Sequence, residues 1–207
     1  MNIQKLTLGY VQTNTYFIDS PSGLIVIDPC IATPQDYDAV CEMVQDKPIV
    51  AILLTHGHFD HIAGVDHLMQ ENTILYISDK DKDYLVNPQL NGSWMIQENL
   101  MINATPTIIN SNKIEVDSFT FKVIETPGHT HGSVAFLLDK HCFIGDFIMD
   151  GSIGRTDLEG GSSLEMRNSL ITFKKRFENK KISLYPGHGS ISQFSDELKH
   201  NPYLSKR

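Results

Sequence analysis

The sequence predicts an α/β domain, and three observations carry that reading. Short apolar, often β-branched runs bounded by glycine or proline recur along the chain, stripes of helical period fall between them, and no low-complexity segment or linker divides the 207 residues. The length is ample for a single layered domain with a buried core. With 41% hydrophobic and 20% charged residues, the composition is that of a globular chain rather than a disordered one.

Residues 24–28, an apolar run between Gly23 and Pro29, read as a buried strand. Thr33-Pro34 then supplies an N-cap followed by proline at the first helical position. Tyr37, Val40, Cys41 and Val44 follow at i, i+3, i+4 and i+7, the apolar stripe of a helix that Pro48 ends. Residues 49–54 form a second strand, 65–70 a helix after Gly64, and 73–78 a third strand. The polar stretch 87–106, which carries Trp94, Met95 and Met101, reads as an ordered loop with a short helix. Strands are expected over 113–125, 133–138 and 141–145. Met166, Leu170, Phe173 and Phe177 mark one face of a helix that closes among basic residues, as its dipole prefers. Residues 182–185 make a last strand.

Charge excludes one function class. Seventeen Lys and Arg against 25 Asp and Glu leave a net charge of −8, and sequence-independent affinity for phosphate backbones needs the opposite balance. Three cysteines, Cys30, Cys41 and Cys142, are an odd number without a C-x-x-C pair, which argues against a disulfide framework or a cysteine zinc finger. The first ten residues break apolar continuity too early for a signal sequence, and no window approaches the ~18 apolar residues of a membrane span. The expectation is a cytoplasmic protein that binds neither nucleic acid nor membrane, as a monomer or small homo-oligomer.

The nine histidines are not scattered. His56, His58 and His61 lie within six residues after a strand, with Asp60 among them. In extended chain His56 and His58 project to one side, and a following helix delivers Asp60 and His61 from its first turn. That spacing can serve two adjacent metal ions. Without a cation, three imidazoles and a carboxylate packed together would repel or desolvate one another. His129, Asp146 and His188 each follow a strand, the position where α/β proteins gather ligands. Five imidazoles and two carboxylates form an all-N/O donor set that suits Zn, Fe or Mn better than Cu(I). His67, His141 and His200 read as ordinary structural histidines.

The segment T-H-G-H-F-D-H-I-A-G resembles the signature of the metallo-β-lactamase superfamily, and the later P-G-H, G-D and P-G-H-G elements follow in that superfamily's order. The resemblance implies an αβ/βα sandwich of two mixed sheets with helices outside and a dinuclear site along one edge. It also implies a ligand partition: His56, His58 and His129 on the first ion, Asp60, His61 and His188 on the second, Asp146 bridging them. Gly145-Asp146, the stretch G-S-I-G-R-T-D and the terminal N-P-Y-L resemble the short glyoxalase II-like hydrolases. The oxygen-reducing diiron branch resembles this pattern but has a Glu where this chain has His58, so the imidazole favours hydrolysis.

Two neighbouring cations can hold a hydroxide between them, because metal binding brings the pKa of water from 15.7 to near 7. Asp60 and Asp146 are therefore the expected catalytic carboxylates, with the bridging hydroxide as nucleophile. A thiolate, with a pKa of about 8.5, departs nearly unassisted, so a small thioester of the S-lactoylglutathione type is the least demanding substrate. A mononuclear iron persulfide dioxygenase and a lactonase of the same fold are the alternatives. Full-length glyoxalase II resembles this domain followed by a helical extension, whereas 19 residues follow His188, so the glutathione-binding extension is expected to be absent. Arg155 can pair with a substrate carboxylate or, structurally, with Asp157 or Glu159. Trp94 and Met95 wall the pocket or pack their loop; Tyr203 is the C-terminal candidate for a substrate contact. Asp28 is expected to support a ligand, His131 to be a surface residue or a ligand's partner, and Cys30 to be a small buried hydrophobe or a pocket thiol.

Overall fold

The computed structural model describes residues 1–205. One six-stranded sheet holds β1 (Ile3–Leu8), β2 (Thr13–Ser20), β3 (Gly23–Ile27), β4 (Ile49–Leu53), β5 (Ile74–Ser78) and β6 (Thr107–Ile109) in chain order. The second half of the chain supplies β7 (Lys113–Val116), β8 (Phe119–Glu125), β9 (Val134–Leu138), β10 (His141–Gly145), a small hairpin of β11 (Ile148–Met149) and β12 (Ser152–Ile153), then β13 (Ser183–Pro186) and β14 (Ser192–Gln193). Its six-stranded sheet runs β14-β13-β10-β9-β8-β7. Both sheets are mixed: β3 to β6 pair in parallel in the first, and β10 pairs in parallel with β13 in the second. The helices are α1 (Pro34–Val44), α2 (Phe59–Ile62), α3 (Val65–Leu68), α4 (Pro88–Asn91), α5 (Ser163–Phe177), α6 (Phe194–His200) and α7 (Pro202–Ser205).

Strand alternation explains the layering. Ile25, Ile27, Ala51 and Leu53 point between the sheets and meet Val134, Phe136, Leu138 and Phe143. Their neighbours Leu24, Val26 and Ile52 face outward and lie under Val40, Val44, Ile62 and Val65 of the helices. On the far side Ala135, Leu137, Cys142 and Ile144 are covered by Met166, Leu170, Phe173 and Phe177 of α5. The central strands are buried on both faces, which is why they read as unbroken apolar runs rather than as alternating ones. The result is the αβ/βα sandwich, four layers around three apolar seams. No helix among the described residues is long and apolar enough to cross a membrane.

Several local expectations are met and several refined. Thr33 caps α1 in a reciprocal box, its hydroxyl accepting from the Asp36 N–H while the Asp36 carboxylate accepts from the Thr33 N–H. The buried stripe of α1 is narrower than its sequence period, because Tyr37 and Cys41 are exposed. Tyr37 instead stacks edge-on against His67. Residues 113–125 are two strands, β7 and β8, turned on Asp117 at φ +52°. The pairing of β1 with β2, the 3₁₀ segment Asp79–Val86 and α6 went unread in the sequence. Cys30, Cys41 and Cys142 are all free thiols.

Phe143 is fully buried between the sheets, with its ring edge-on to Tyr16. Phe143→Ala is expected to lower stability by about 3–5 kcal/mol, measured as a shift of the denaturant midpoint at unchanged slope.

Candidate metal centre

Each ligand loop leaves the C-terminal end of a strand at one edge of the sandwich. The chain leaving β4 carries His56 and His58, then α2 begins and presents Asp60 and His61. His129 follows β8, Asp146 follows β10 and His188 follows β13. The seven side chains converge. His56, His58 and His129 form one candidate ligand set and Asp60, His61 and His188 another, with the donor atoms of each set within 4.8 Å of one another. Asp146 stands between the sets, with its Oδ2 at 3.4 Å from His129 Nε2 and 3.3 Å from His188 Nε2, and its Oδ1 at 3.5 Å from His61 Nε2.

Two glycines permit this crowding. Gly145 takes φ +52° against Thr55, and a Cβ on Gly187 would collide with Asp146 and His61.

The hydrogen bonds on the outer side of the rings decide which nitrogen faces inward. His61 donates Nδ1–H to Asp28 Oδ2 at 2.9 Å, and His129 donates Nδ1–H to the Arg155 carbonyl at 2.7 Å. His188 donates Nδ1–H to the carbonyls of Val11 and Gln12. Thr55 gives its own proton to Asp28 and so accepts from His56 Nδ1. The Nε2 atoms of these four imidazoles thus face a common centre. His56 Nε2, His61 Nε2 and Asp146 Oδ1 are buried without a hydrogen-bond partner, as is the Nε2 of His58, whose Nδ1 faces His129 Nε2 at 2.8 Å. Buried polar atoms without partners are costly, and a cation removes the cost. The donor set fits a pair of divalent ions. Asp28 also lies near His56 and His61, but its oxygens already accept from Thr55 N, Thr55 Oγ1 and His61 Nδ1, so it supports a ligand, as expected.

Charge separates the two sets. Burial, reinforced by neighbouring imidazoles, holds His56 well below the ordinary histidine pKa and lowers His58 to about 3. Burial opposes protonation of His61 and His188 as well, but the adjacent carboxylates outweigh it. Asp60, Asp146 and Asp28 raise His61 well above its usual value; Asp146 and Asp60 raise His188 to about 10. Burial disfavours charge on Asp60 and Asp146 too, yet His61 and His188 keep both ionised, far below the ordinary carboxylate range. In metal-free protein, protons on the second set balance the two carboxylates.

The residues that hold these loops are ones the motif reading missed. Thr13 donates to Asp60 Oδ2 at 2.6 Å. Asn14 Nδ2 donates to the carbonyls of Pro186 and Gly189, and the Tyr16 hydroxyl donates to Pro186, so β2 grips the turn that carries His188. Buried Asp81 accepts from the N–H of Gly57, the hydroxyl of Thr130 and the N–H of Gly132. It thereby ties the His56–His58 loop to the His129 loop, and burial raises its carboxyl pKa. A polar T-N-T-Y run inside a buried strand was the available signal for β2. Nothing in the run D-K-D-K-D singled out Asp81.

Of the expected substrate contacts, Arg155 and Tyr203 line a groove beside α5 and Trp94 stands on the 87–106 loop. Arg155 makes a two-pronged ion pair with Asp157, the structural alternative, while its carbonyl holds His129. Trp94 is 50% exposed on a 3₁₀ turn of the 87–106 loop, and Tyr203 is 57% exposed beside α5. His131 pairs with Glu165 at the surface, and Cys30 is a buried thiol whose pKa burial raises to about 12. His141 meets the Tyr185 hydroxyl and His200 the Asp196 carbonyl, both structural roles.

A four-layer sandwich with this ligand order along one edge defines a class of metallo-hydrolase fold. The chain belongs to the metallo-beta-lactamase superfamily, whose family profile matches residues 8–188, a span containing every ligand named above. It is 29% identical to the probable metallo-hydrolase YqgX of Bacillus subtilis over 99% of this chain and 98% of that one. It is 27% identical to the hydroxyacylglutathione hydrolase GloC of Haemophilus influenzae over the whole of both, a likeness that fits the glyoxalase II-like subgroup. Among solved structures, the BLEG-1 B3 metallo-beta-lactamase superposes with a TM-score of 0.87 at 30% identity, covering 99% of this chain and 100% of the other. TTHA1623 in a di-iron-bound form gives 0.83 at 27% identity, covering 97% and 100%.

Metal binding to the second set must displace protons from His61 and His188, whereas His56 and His58 are already neutral at pH 7. Affinity at the second set is expected to rise with pH up to about 10, the value for His188, by about tenfold per unit for each proton displaced. Calorimetric zinc titration in two buffers of different ionisation enthalpy checks this; uptake without proton release contradicts it. Asp81→Ala is expected to weaken the His56–His58–His129 set by about 10–100-fold while sparing the other, read as loss of one metal equivalent on dialysis.

Proposed function

We propose that the chain is a dinuclear metal-dependent hydrolase of small thioesters, with zinc its first candidate metal and iron or manganese the alternatives. The observation that carries the reading is the pair of ligand sets with Asp146 between them and unpartnered polar atoms turned inward. His188 Nε2 lies 3.3 Å from both Asp60 and Asp146, which supports a two-ion site over the mononuclear alternative. When bound, two divalent ions supply a hydroxide nucleophile at neutral pH and polarise the scissile carbonyl.

The chain's own groups do the rest. Asp60 is fixed by the Thr13 hydroxyl, and both Asp60 and Asp146 stay ionised, so they orient an attacking water by accepting its hydrogen bonds. As weak bases they do not carry its proton far. The Tyr84 ring packs 5.8 Å from the His58 ring and helps keep bulk water from that ligand set. His131 stands at the surface paired with Glu165 rather than among the ligands, so it is not placed to protonate a poor leaving group. A thiolate needs no such help. One full-length relative is named a hydroxyacylglutathione hydrolase, and a hydroxyacylglutathione is a thioester, which supports this substrate class. A net charge of −8 supports a small-molecule substrate over nucleic acid.

Protein loaded with two equivalents of zinc is expected to hydrolyse S-lactoylglutathione or a related thioester, and His61→Ala or Asp146→Ala to abolish turnover. Metal-replete protein that opens lactones or oxidises persulfides, but cleaves no thioester in a broad panel, overturns the assignment.

A further inference from the structure

A groove of about 1080 Å³ runs along α5. Arg167, Ile171 and Lys175 line it on one i+4 ridge of the helix, and Leu170 and Lys174 on the next; residues 153–156 and 202–204 form the facing wall. One end of the groove lies beside the loops that carry the metal ligands, although none of the seven ligands lines it. The Arg155 carbonyl holds the outer nitrogen of His129, Gly154 packs so tightly on the main chain of Asp146 that no Cβ fits, and Met166 packs on Gly128. From there α5 leads away, so Lys174 and Lys175 mark the far end.

Its charge runs against that of the molecule. A chain of net charge −8 places Arg155, Arg167, Lys174 and Lys175 around this groove, with Glu178 as the carboxylate among its lining residues. Asp157 neutralises Arg155, and Lys174 reaches the Leu204 carbonyl. Arg167 and Lys175 enter no ion pair among the described residues, and a helix rise of 1.5 Å per residue sets them about 12 Å apart along the axis. Between them lie Leu170 and the exposed Ile171. An apolar stretch that runs from beside the ligand loops to a cluster of cations suits a ligand with an uncharged arm and a multiply anionic end.

We propose that this groove binds the carrier half of the thioester, and that the carrier is a long, phosphate-bearing thiol of the coenzyme A class. The inference rests on the thioesterase reading of the neighbouring centre. A carrier whose charges lie close to its sulfur, such as glutathione, does not reach Lys174 and Lys175.

The test compares one acyl group on coenzyme A, glutathione and N-acetylcysteamine with zinc-loaded protein. The coenzyme A thioester is expected to have a KM at least about tenfold below the other two. The double variant R167E/K175E should remove that advantage at unchanged kcat, with turnover of the N-acetylcysteamine thioester unaltered because it is too short to enter the groove. Equal KM values for the three carriers, or a variant that affects all three alike, overturn the carrier assignment and leave the thioesterase reading standing. If no thioester is cleaved, that reading falls, and calorimetry with desulfo-coenzyme A decides the groove separately. Wild-type binding that R167E/K175E abolishes supports the site; absent or unchanged binding overturns it. A solution dimer that buries α5, read by sedimentation and hydrogen-exchange protection, overturns it as well.

Discussion

Five imidazoles and two carboxylates turned toward one buried point are an electrostatic problem that the protein's own atoms do not solve. The outer nitrogens of His56, His61, His129 and His188 are each satisfied, which turns their Nε2 atoms toward a common point. There only the protons held on His61 and His188 offset the two carboxylates, while the Nε2 atoms of His56 and His58 stay without a partner. A pair of cations turns the same arrangement into an attractive one. The sandwich, the glycines at the edge and the buried polar residues behind the ligands all follow from holding that geometry.

The two sheets contribute ligands in nearly equal measure, so the centre exists only when they pack. The first sheet carries His56, His58, Asp60 and His61; the second carries His129, Asp146 and His188. Two buried polar junctions align them, and a third braces the loops of the first sheet. Asp28, in a left-handed conformation at φ +51°, joins β3 to Thr55 and His61. Asp81 joins the loop after β4 to the loop after β8. Asn14 and Tyr16 join β2 to the turn after β13. Apolar packing between the sheets supplies cohesion without direction, whereas these bonds fix the relative register of the ligand loops to within the tolerance that coordination demands.

The electrostatic split between the sets bears on the chemistry. Imidazoles that stay neutral through burial are ready ligands, while the set beside Asp60 and Asp146 balances its carboxylates with protons until a metal replaces them. The same two carboxylates remain charged in either case, so the centre keeps a fixed negative element against which a carbonyl and a water can be oriented. Outside the centre, the acidic surface gives way to the basic groove of α5, which sets a direction for an anionic ligand approaching an otherwise repulsive molecule.

The seven candidate ligands and the α/β elements were legible in the amino-acid order because both are local signals, whereas the four-layer sandwich was implied by the resemblance those motifs carry. Each ligand follows its strand within a few residues, and each buried strand or helix carries its own period. The strand pair at the N-terminus was not legible, since β2 spends its buried positions on Thr13, Asn14 and Thr15, polar residues that make sense only beside loops far along the chain. Asp81 is the sharper case, a carboxylate in a charged run that looks solvated until Gly57, Thr130 and Gly132 close around it. Arg155 shows the converse, since its side chain spends itself on Asp157 and its backbone does the work at the centre. Covalent order determines which atoms are available and where the chain turns. Only packing decides which donors lie within hydrogen-bond reach, because partners up to 177 positions apart meet through the contact of two sheets rather than through any neighbouring residue.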